Sequence, residues 1–204
     1  MSGAVPPDAS LERLLGLLEA HNPNLLELLR ADTEVAFIEA TENALERAVR
    51  TIESGAKGYG SLDERGLSQL LADFLNLSGY QATAERNING HVDVVVEHAF
   101  GGRWKYLGEC KIWRGYQYHV DGCEQLLGYC TGREKRAFCM DFFTVLGIYD
   151  KLRKLRDALD EGRPLAQLAA SVDHKILGGF LTSHHHTTGA TVEVLHLGCS
   201  VAAA

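Results

Sequence analysis

The chain has 204 residues, of which 46% are hydrophobic and 23% are charged, and its formal net charge is −7 at pH 7. This composition is typical of a folded globular protein of about one domain and excludes bulk disorder. A chain this acidic is not expected to coat nucleic acid indiscriminately. The acidic excess belongs to residues 1–60, with ten acids against five bases, whereas residues 101–136 hold four acids against seven bases.

The N-terminus and the cysteines bear on where the protein works. No apolar run approaches the roughly 18–20 residues that cross a bilayer, and the first residues lack the basic and apolar regions of a secretory signal. The five cysteines are odd in number and include no C-x-x-C pair, which favours reduced thiols. We therefore expect a cytoplasmic protein that does not contact a membrane.

The N-terminal quarter of the chain shows helical periodicity. The leucines of ASLERLLGLLEAH recur at helical spacing, Pro23 restarts a short second helix, and a longer third helix is predicted from Asp32, which suits an N-cap. The glycine-rich segment 54–61 is the most obvious internal boundary. We therefore divide the chain into residues 1–58, a helical region for packing or oligomerisation, and residues 59–204, which carry the chemistry.

After this boundary the chain alternates helices and strands. Ser61 and Glu64 have the form of a capping box, and they open a helix that Gly79 is expected to end. The Gly101-Gly102 pair predicts a hairpin between the second and third strands. This order predicts an α/β fold, with a mixed sheet flanked by helices and an N-terminal helical extension. The strands are predicted at YQATAERN, HVDVVVEHAF, RWKYLGECKIW, FFTVLGIYD, KILGGFLTS and ATVEVLHLG, and the helices at residues 117–131 and DKLRKLRDALDEG.

Three charged residues interrupt strands that are otherwise apolar. Asp93 lies among the valines of HVDVVVE, and Glu109 and Lys111 flank Cys110 in GECKIW, where residues two apart share one face. A buried carboxylate without a partner is costly, and two adjacent antiparallel strands can bring all three side chains together. Two carboxylates suit Mg²⁺, with Mn²⁺ as a substitute, and a lysine beside them can position an attacking water. The alternative is a plain surface ion pair between Glu109 and Lys111.

Three further residues stand in order around this group. Glu64 lies in the preceding predicted helix, and Gln125 and Tyr129 lie one helical turn apart in the following one, with the spacing Q-x-x-x-Y. Together with Asp93 and the Glu109-Cys110-Lys111 triplet, they resemble the PD-(D/E)XK nuclease superfamily and its RecB-like branch. A lone E-x-K triplet is common by chance, so the ordered combination carries the resemblance.

The resemblance covers residues 60–150, and it departs from the namesake motif at Val92, which stands where that motif has a proline. It implies a restriction-endonuclease-like core that hydrolyses DNA phosphodiester bonds with a metal-activated water. The implied roles are metal ligation by Asp93, Glu109, Glu64 and the backbone carbonyl of Cys110, positioning of the water by Lys111, and support of that lysine or contact with the DNA backbone by Gln125 and Tyr129.

Basic and aromatic residues interleave around the third strand. Arg103, Lys105, Arg114 and Tyr116 belong to this segment, and such a mixture can line a nucleic-acid groove, although aromatic strand residues also commonly belong to a core. The run His184–His186 is interpreted as a hairpin loop, because no carboxylate or cysteine has a matching metal-ligand spacing. We therefore predict a nucleic-acid-binding surface around the third strand and no metal or catalytic site at His184–His186.

The leading hypothesis is a Mg²⁺-dependent DNA nuclease, with restriction, phage defence or recombination as the roles that family analogy offers. The alternative is a non-catalytic or partner-activated module that binds nucleic acid or assembles on the same fold. A weaker hypothesis is a metal-dependent enzyme for another phosphate-bearing substrate. RNA remains open as a substrate. Because double-strand cleavage needs two sites, we expect a homodimer or higher homo-oligomer, and a recognition or regulatory partner would supply specificity.

Overall fold

The computed structural model describes residues 7–88, 90–98 and 104–202. Within these ranges no helix is both long and apolar enough to cross a membrane. The described elements are α1 Pro7–His21, α2 Pro23–Arg30, α3 Glu34–Ser54, α4 Ala56–Tyr59, α5 Glu64–Leu77, β1 Gln81–Asn87, β2 His91–Glu97, β3 Lys105–Ile112, α6 Tyr116–Tyr129, β4 Arg136–Phe143, α7 Ile148–Gly162, β5 Val172–Asp173, β6 Phe180–His185 and β7 Thr191–Ser200.

The seven strands form one mixed sheet in the order β1-β2-β3-β4-β7-β6-β5. The pairs at its two ends are antiparallel, whereas β3 pairs with β4, and β4 with β7, in parallel. A parallel pair needs a crossover connection, which α6 supplies between β3 and β4. The predicted α/β architecture, an N-terminal helical region followed by a mixed sheet with interspersed helices, is therefore confirmed.

The sheet has a hydrophobic core on each face. On one face, Phe37 of α3 and Leu67 of α5 belong to a cluster that includes Phe138 of β4. On the other face, Leu126 of α6 packs in a cluster with Leu107 of β3. The N-terminal helices thus share a core with the sheet, and the division of the chain after residue 58 stays a prediction.

Two helices begin later than their sequences indicated. The N-cap of α5 is Asp63 rather than Ser61. The Asp63 carboxylate accepts a hydrogen bond from the backbone amide of Gly66 at 2.8 Å. The N-cap of α3 is Thr33 rather than Asp32. The predicted capping box is therefore wrong, because the residue with extended backbone directly before the first helical turn is the one that caps it. The carboxylate of Glu64 is consequently left for tertiary contacts.

Two strand predictions are also corrected. The strand expected at FFTVLGIYD lies earlier, as β4, and the left-handed Gly147 (φ 82°) separates it from α7. β4 is buried on both faces and reads as an almost continuous buried run with no alternation to mark its bounds. The run His184–His186 is mostly strand, since His184 is a buried residue of β6. Gly101-Gly102 lies outside the described residues, although β2 and β3 are antiparallel neighbours as predicted.

Candidate active site

The edge of β3 is where the predicted site residues meet. The ladder between β2 and β3 runs from the Glu97–Lys105 pair to the Val94–Gly108 pair. One step further, the register would place Asp93 opposite Glu109. At this point the Asp93 side chain replaces a backbone carbonyl of β2 as the hydrogen-bond acceptor, because its Oδ2 accepts a hydrogen bond from the Cys110 amide at 2.9 Å. β2 and β3 therefore separate at the carboxylate.

A second carboxylate meets the same strand edge two residues later. Glu64, in the first turn of α5, accepts a hydrogen bond from the Ile112 amide at 2.8 Å and another from the Tyr118 hydroxyl at 3.1 Å. The amide and carbonyl of one strand residue point to the same edge, so the Cys110 carbonyl lies on the edge that Asp93 and Glu64 flank. This orientation is the one that a backbone metal ligand at Cys110 requires.

Glu109 and Lys111 project from β3 toward α6. Lys111 Nζ lies 2.6 Å from Glu109 Oε1 and 3.7 Å from Glu64 Oε1. Glu109 is 1% exposed and Lys111 is 8% exposed, so the pair is not an ordinary surface ion pair. A Cβ atom at Gly122 of α6 would lie 3.0 Å from Lys111 Cε. The missing side chain at Gly122 therefore lets α6 pack directly over the lysine.

Burial and mutual repulsion perturb the two strand carboxylates. Burial, with the nearby charge of Asp93, raises the pKa of Glu109 to about 7 despite the opposing Lys111 ammonium. Burial also raises the pKa of Asp93, against the Cys110 hydrogen bond and the charge of Lys111. For Lys111, burial acts to lower the pKa, but the hydrogen bond and charge of Glu109 outweigh it and raise that pKa. The group thus holds three carboxyl groups against one ammonium. We call Glu64, Asp93, Glu109 and Lys111 the carboxylate cluster.

Asp93 and Glu109 offer carboxylate oxygens, the kind of donor that hard divalent cations prefer. Glu109 Oε2 is buried and has no hydrogen-bond partner among the described residues, and an oxygen of this kind is a natural ligand for Mg²⁺ or Mn²⁺. Glu64 is already engaged with Ile112 and Tyr118 and does not form one compact group with Asp93 and Glu109. Over the described parts of the chain, the only set of three or more His, Cys, Asp or Glu side chains with all ligand atoms within 4.8 Å is His119, Cys123 and Cys139. A ligand role for Glu64 stays a prediction.

The Q-x-x-x-Y residues occupy different environments. Tyr129 is half-buried, and its pKa is raised first by burial and then by the charges of Glu109 and Asp93, against a hydrogen bond with the His91 backbone. Its hydroxyl is thus within electrostatic reach of the carboxylate cluster. Its ring also lies where a side chain on Gly90 would be. Gln125 is exposed on α6, and within the described residues no hydrogen bond joins it to the cluster. Only the tyrosine of the motif is thus brought to the carboxylates.

The predicted nucleic-acid residues are not gathered at one place. Arg114 is exposed and its guanidinium lies 5.0 Å above the ring of Tyr118, beside the cluster. Lys105 pairs with Glu97 at 3.1 Å, four residues and roughly 13 Å along β3 from Glu109. Tyr116 packs into the apolar cluster between α6 and α7, and Arg103 lies outside the described residues.

Sequence reasoning missed two features of this face. The first is Tyr118, whose hydroxyl donates a hydrogen bond to Glu64, and only the start of α6 places it there. The second feature is the set His119, Cys123 and Cys139, buried in contact with one another under α6. Its one signal in the sequence was a histidine and a cysteine four residues apart on a helix, which share a helix face.

No protein-family model, no curated protein and no solved structure matches this chain. The fold and the geometry of its polar clusters are therefore the observations from which a function is inferred: an α/β chain with a seven-stranded mixed sheet flanked by helices.

Proposed function

We propose that this protein is a metal-dependent nuclease of the PD-(D/E)XK kind that hydrolyses DNA phosphodiester bonds. The observation that carries the proposal is the separation of β2 from β3 at Asp93, with Glu109 and Lys111 buried beside it. An ion pair that served stability alone would not need a second carboxylate, Asp93, whose charge adds to burial in raising the pKa of Glu109.

Some residues on this strand edge would bind a cation, and Lys111 would contact the reacting groups. Asp93, Glu109 and the Cys110 carbonyl would hold Mg²⁺, or Mn²⁺ in its place. When bound, the cation would supply positive charge to the scissile phosphate and make a coordinated water more acidic. Asp93 is fixed for this role by the Cys110 amide, so little reorganisation is needed on binding.

Lys111 is the group that would touch the nucleophile. Its ammonium has three donors: one donates a hydrogen bond to Glu109 at 2.6 Å, and a second faces Glu64, an ion-pair partner at 3.7 Å. The remaining donor can bind the attacking water or a phosphate oxygen, where positive charge stabilises the transition state. Glu64 and Gly122 keep the lysine side chain in place from two sides, and Tyr129 lies near the same carboxylates.

Nucleic acid is the substrate class that the surroundings of the carboxylate cluster favour. Arg114 and Tyr118 stack beside it, and a guanidinium next to an aromatic ring binds both phosphate and base. The net charge of −7 opposes tight binding by one chain alone. A homo-oligomer or a recognition partner would supply the missing affinity, and restriction, phage defence or recombination are the roles that this chemistry suits.

The test is cleavage of supercoiled plasmid, with single-stranded RNA and DNA as parallel substrates, in Mg²⁺, in Mn²⁺ and in chelator. The variants are Asp93→Asn and Lys111→Met. Lys105→Met is the matched control, because it removes a lysine from the far end of the same strand. Metal-dependent cleavage that is lost in the first two and kept in the control supports the proposal.

Two results would count against the assignment. Cleavage that persists unchanged in Asp93→Asn and Lys111→Met would place the activity elsewhere. Retention of plasmid binding with no cleavage by the wild-type protein in either metal would favour the second candidate, a partner-activated or non-catalytic module. The direct 2.6 Å ion pair of Lys111 with Glu109 is the observation that keeps this second candidate open.

A further inference from the structure

A second group of polar side chains lies on the same face of the sheet, wholly inside the protein. His119 and Cys123 stand four residues apart on α6 and share its buried face. Opposite them, Cys139 of β4 and His196 of β7 are register partners on adjacent parallel strands. None of the four is more than 1% exposed. A helix pair thus meets a strand pair, and we call these four residues the His/Cys cluster.

The donor atoms of the His/Cys cluster lie close to one another around His119. His119 Nε2 lies 2.8 Å from His196 Nδ1 and 3.3 Å from Cys123 Sγ, and Cys123 Sγ lies 4.0 Å from His196 Nδ1. The ligand atoms of His119, Cys123 and Cys139 are all within 4.8 Å of one another, and His196 lies outside that compact group. Cys139 Sγ lies 3.8 Å from His119 Nδ1, the nitrogen that also faces Asp141. The edges of a tetrahedral zinc site with nitrogen and sulfur ligands are about 3.3–3.8 Å, given the usual metal–ligand bond lengths. The observed separations lie on both sides of that range.

The hydrogen bonds around His119 fix which of its nitrogens is free. Asp141 Oδ2 lies 2.6 Å from His119 Nδ1, and a carboxylate accepts, so Nδ1 carries a proton. In the neutral ring Nε2 then has a lone pair, and that lone pair points at His196. A histidine held through one nitrogen by a carboxylate is the usual arrangement of a metal ligand.

A chain of bonds fixes His196 in the complementary way. His184 Nδ1 lies 3.0 Å from the Leu165 carbonyl, which only accepts, so the His184 Nε2 accepts in turn from the Thr182 hydroxyl at 2.7 Å. The Thr182 oxygen then accepts from His196 Nε2 at 2.7 Å. His196 Nδ1 is therefore left with a lone pair that faces the lone pair of His119.

Two facing lone pairs at 2.8 Å repel each other, so the arrangement needs either a proton between the two nitrogens or a metal ion beside them. We propose that His119, Cys123, Cys139 and His196 bind one Zn²⁺ ion in the core of the protein. Two thiolates and two imidazoles neutralise the ion, and soft thiolates select zinc over the hard cations that suit carboxylates. Binding releases the thiol protons together with any proton held between the imidazoles. Asp141 and Thr182 orient the two histidine ligands.

The competing occupant of this position is a single proton. Burial acts to lower the pKa of His119, but the charges of Cys139 and Asp141 raise it, whereas burial and the charge of His119 lower the pKa of His196. An imidazolium at His119 would then donate to His196. This occupant leaves the two cysteines without a role, and the experiment below separates it from zinc.

The zinc site would anchor the helix that covers the carboxylate cluster. It joins α6 to β4 and β7, and α6 also carries Tyr118, Gly122 and Tyr129. Asp141, which orients His119, is the register partner of Lys111 on β3. The zinc proposal does not rest on nuclease activity, since its ligands and its geometry are independent of the carboxylate cluster.

The test is metal content and cobalt spectroscopy of the full chain. Protein purified from zinc-supplemented cells without a metal-affinity tag is expected to hold about one zinc per chain. Replacement by Co²⁺ is expected to give a thiolate charge-transfer band and the intense visible absorption of tetrahedral cobalt. Wild-type protein that is folded, lacks zinc and shows neither band would overturn the proposal and assign the position to the proton.

Variants locate the ion. Cys123→Ser and Cys139→Ser are expected to lose the zinc, whereas Cys130→Ser, at a buried cysteine outside the cluster, and Asp93→Asn, in the carboxylate cluster, are expected to keep it. Thr182→Val preserves shape and is expected to weaken zinc binding 10- to 100-fold, the usual cost of losing a partner that orients a ligand. This variant decides the case if the serine variants fail to fold. Equal zinc content in all variants, or loss only in Asp93→Asn, would refute the assignment.

Discussion

The carboxylate cluster and the His/Cys cluster lie on the same face of one sheet, a strand apart, and bury polar groups in different ways. The first collects hard oxygens and an excess of negative charge at a strand edge where Asp93 and Glu64 are only partly buried. The second encloses nitrogen and sulfur atoms completely, and both of its histidines are oriented by hydrogen bonds to Asp141 and Thr182, which are not members of the cluster. An open acidic site suits an exchangeable cation and substrate, whereas a closed site suits a permanent ion.

The largest expected difference between the clusters is in catalysis. Asp93→Asn keeps an acceptor for the Cys110 amide but removes a charge from the proposed cation site. We expect cleavage to fall by about 10³-fold or more, the scale of losing a preorganised electrostatic group, with zinc content unchanged. Initial rates of plasmid nicking in Mg²⁺ measure this. A variant that cleaves at the wild-type rate would remove Asp93 from the site.

The next effect is the pH dependence of stability that Glu109 imposes. Its pKa is raised from 4.5 to about 7, so in this window the folded state holds more protons than the unfolded state, and the free energy of unfolding falls as pH rises. We expect a loss of a few kcal/mol at most between pH 4.5 and 7, measured by urea titration in chelator. In Glu109→Gln this fall should be smaller. A variant curve parallel to the wild type would contradict the raised pKa. Added Mg²⁺ should stabilise the wild type more above pH 7, because binding requires the ionised carboxyl group.

A smaller effect is expected where α6 covers the lysine. Gly122→Ala introduces a Cβ 3.0 Å from Lys111 Cε, which we expect to lower the free energy of unfolding by about 1–3 kcal/mol and to slow cleavage. Gly128→Ala is the control on the same helix, since nothing lies within 4 Å of its Cβ, and it should be neutral or stabilising by about 1 kcal/mol. Thermal and urea unfolding of both variants measure the contrast. Equal effects would show that helix propensity, not the contact, decides.

The smallest expected effect concerns substrate binding. Arg114 is exposed and stacks on Tyr118, so Arg114→Gln should weaken DNA binding uniformly across sequences and reduce the slope of log K against log salt by about 1. Arg133→Gln, at the opposite end of β3 beside Lys105, should leave the slope unchanged. Fluorescence anisotropy with catalytically inactive Asp93→Asn protein as the background measures both. A larger change at Arg133 would move the DNA surface to that end.

The two clusters also differ in how far sequence reasoning reached them. Asp93, Glu109 and Lys111 stood out because charges in apolar strands are conspicuous and strand parity is a local property. The sequence did not indicate that Gln125 would be exposed. Its position depends on where α6 crosses the sheet, which a short stretch of sequence does not contain.

The fold class and the strand edge with its acids were thus determined by local pattern: hydrophobic periodicity, glycine breaks and charges in valine-rich strands. The pairing of Cys139 with His196, fifty-seven residues later, was decided only by the parallel register of β4 and β7. The hydrogen bond from the Ile112 amide to Glu64 was decided by the start of α5 and the end of β3. Contacts of this kind form because burial brings distant segments together, and each buried polar group must then find a partner among whatever the fold places beside it.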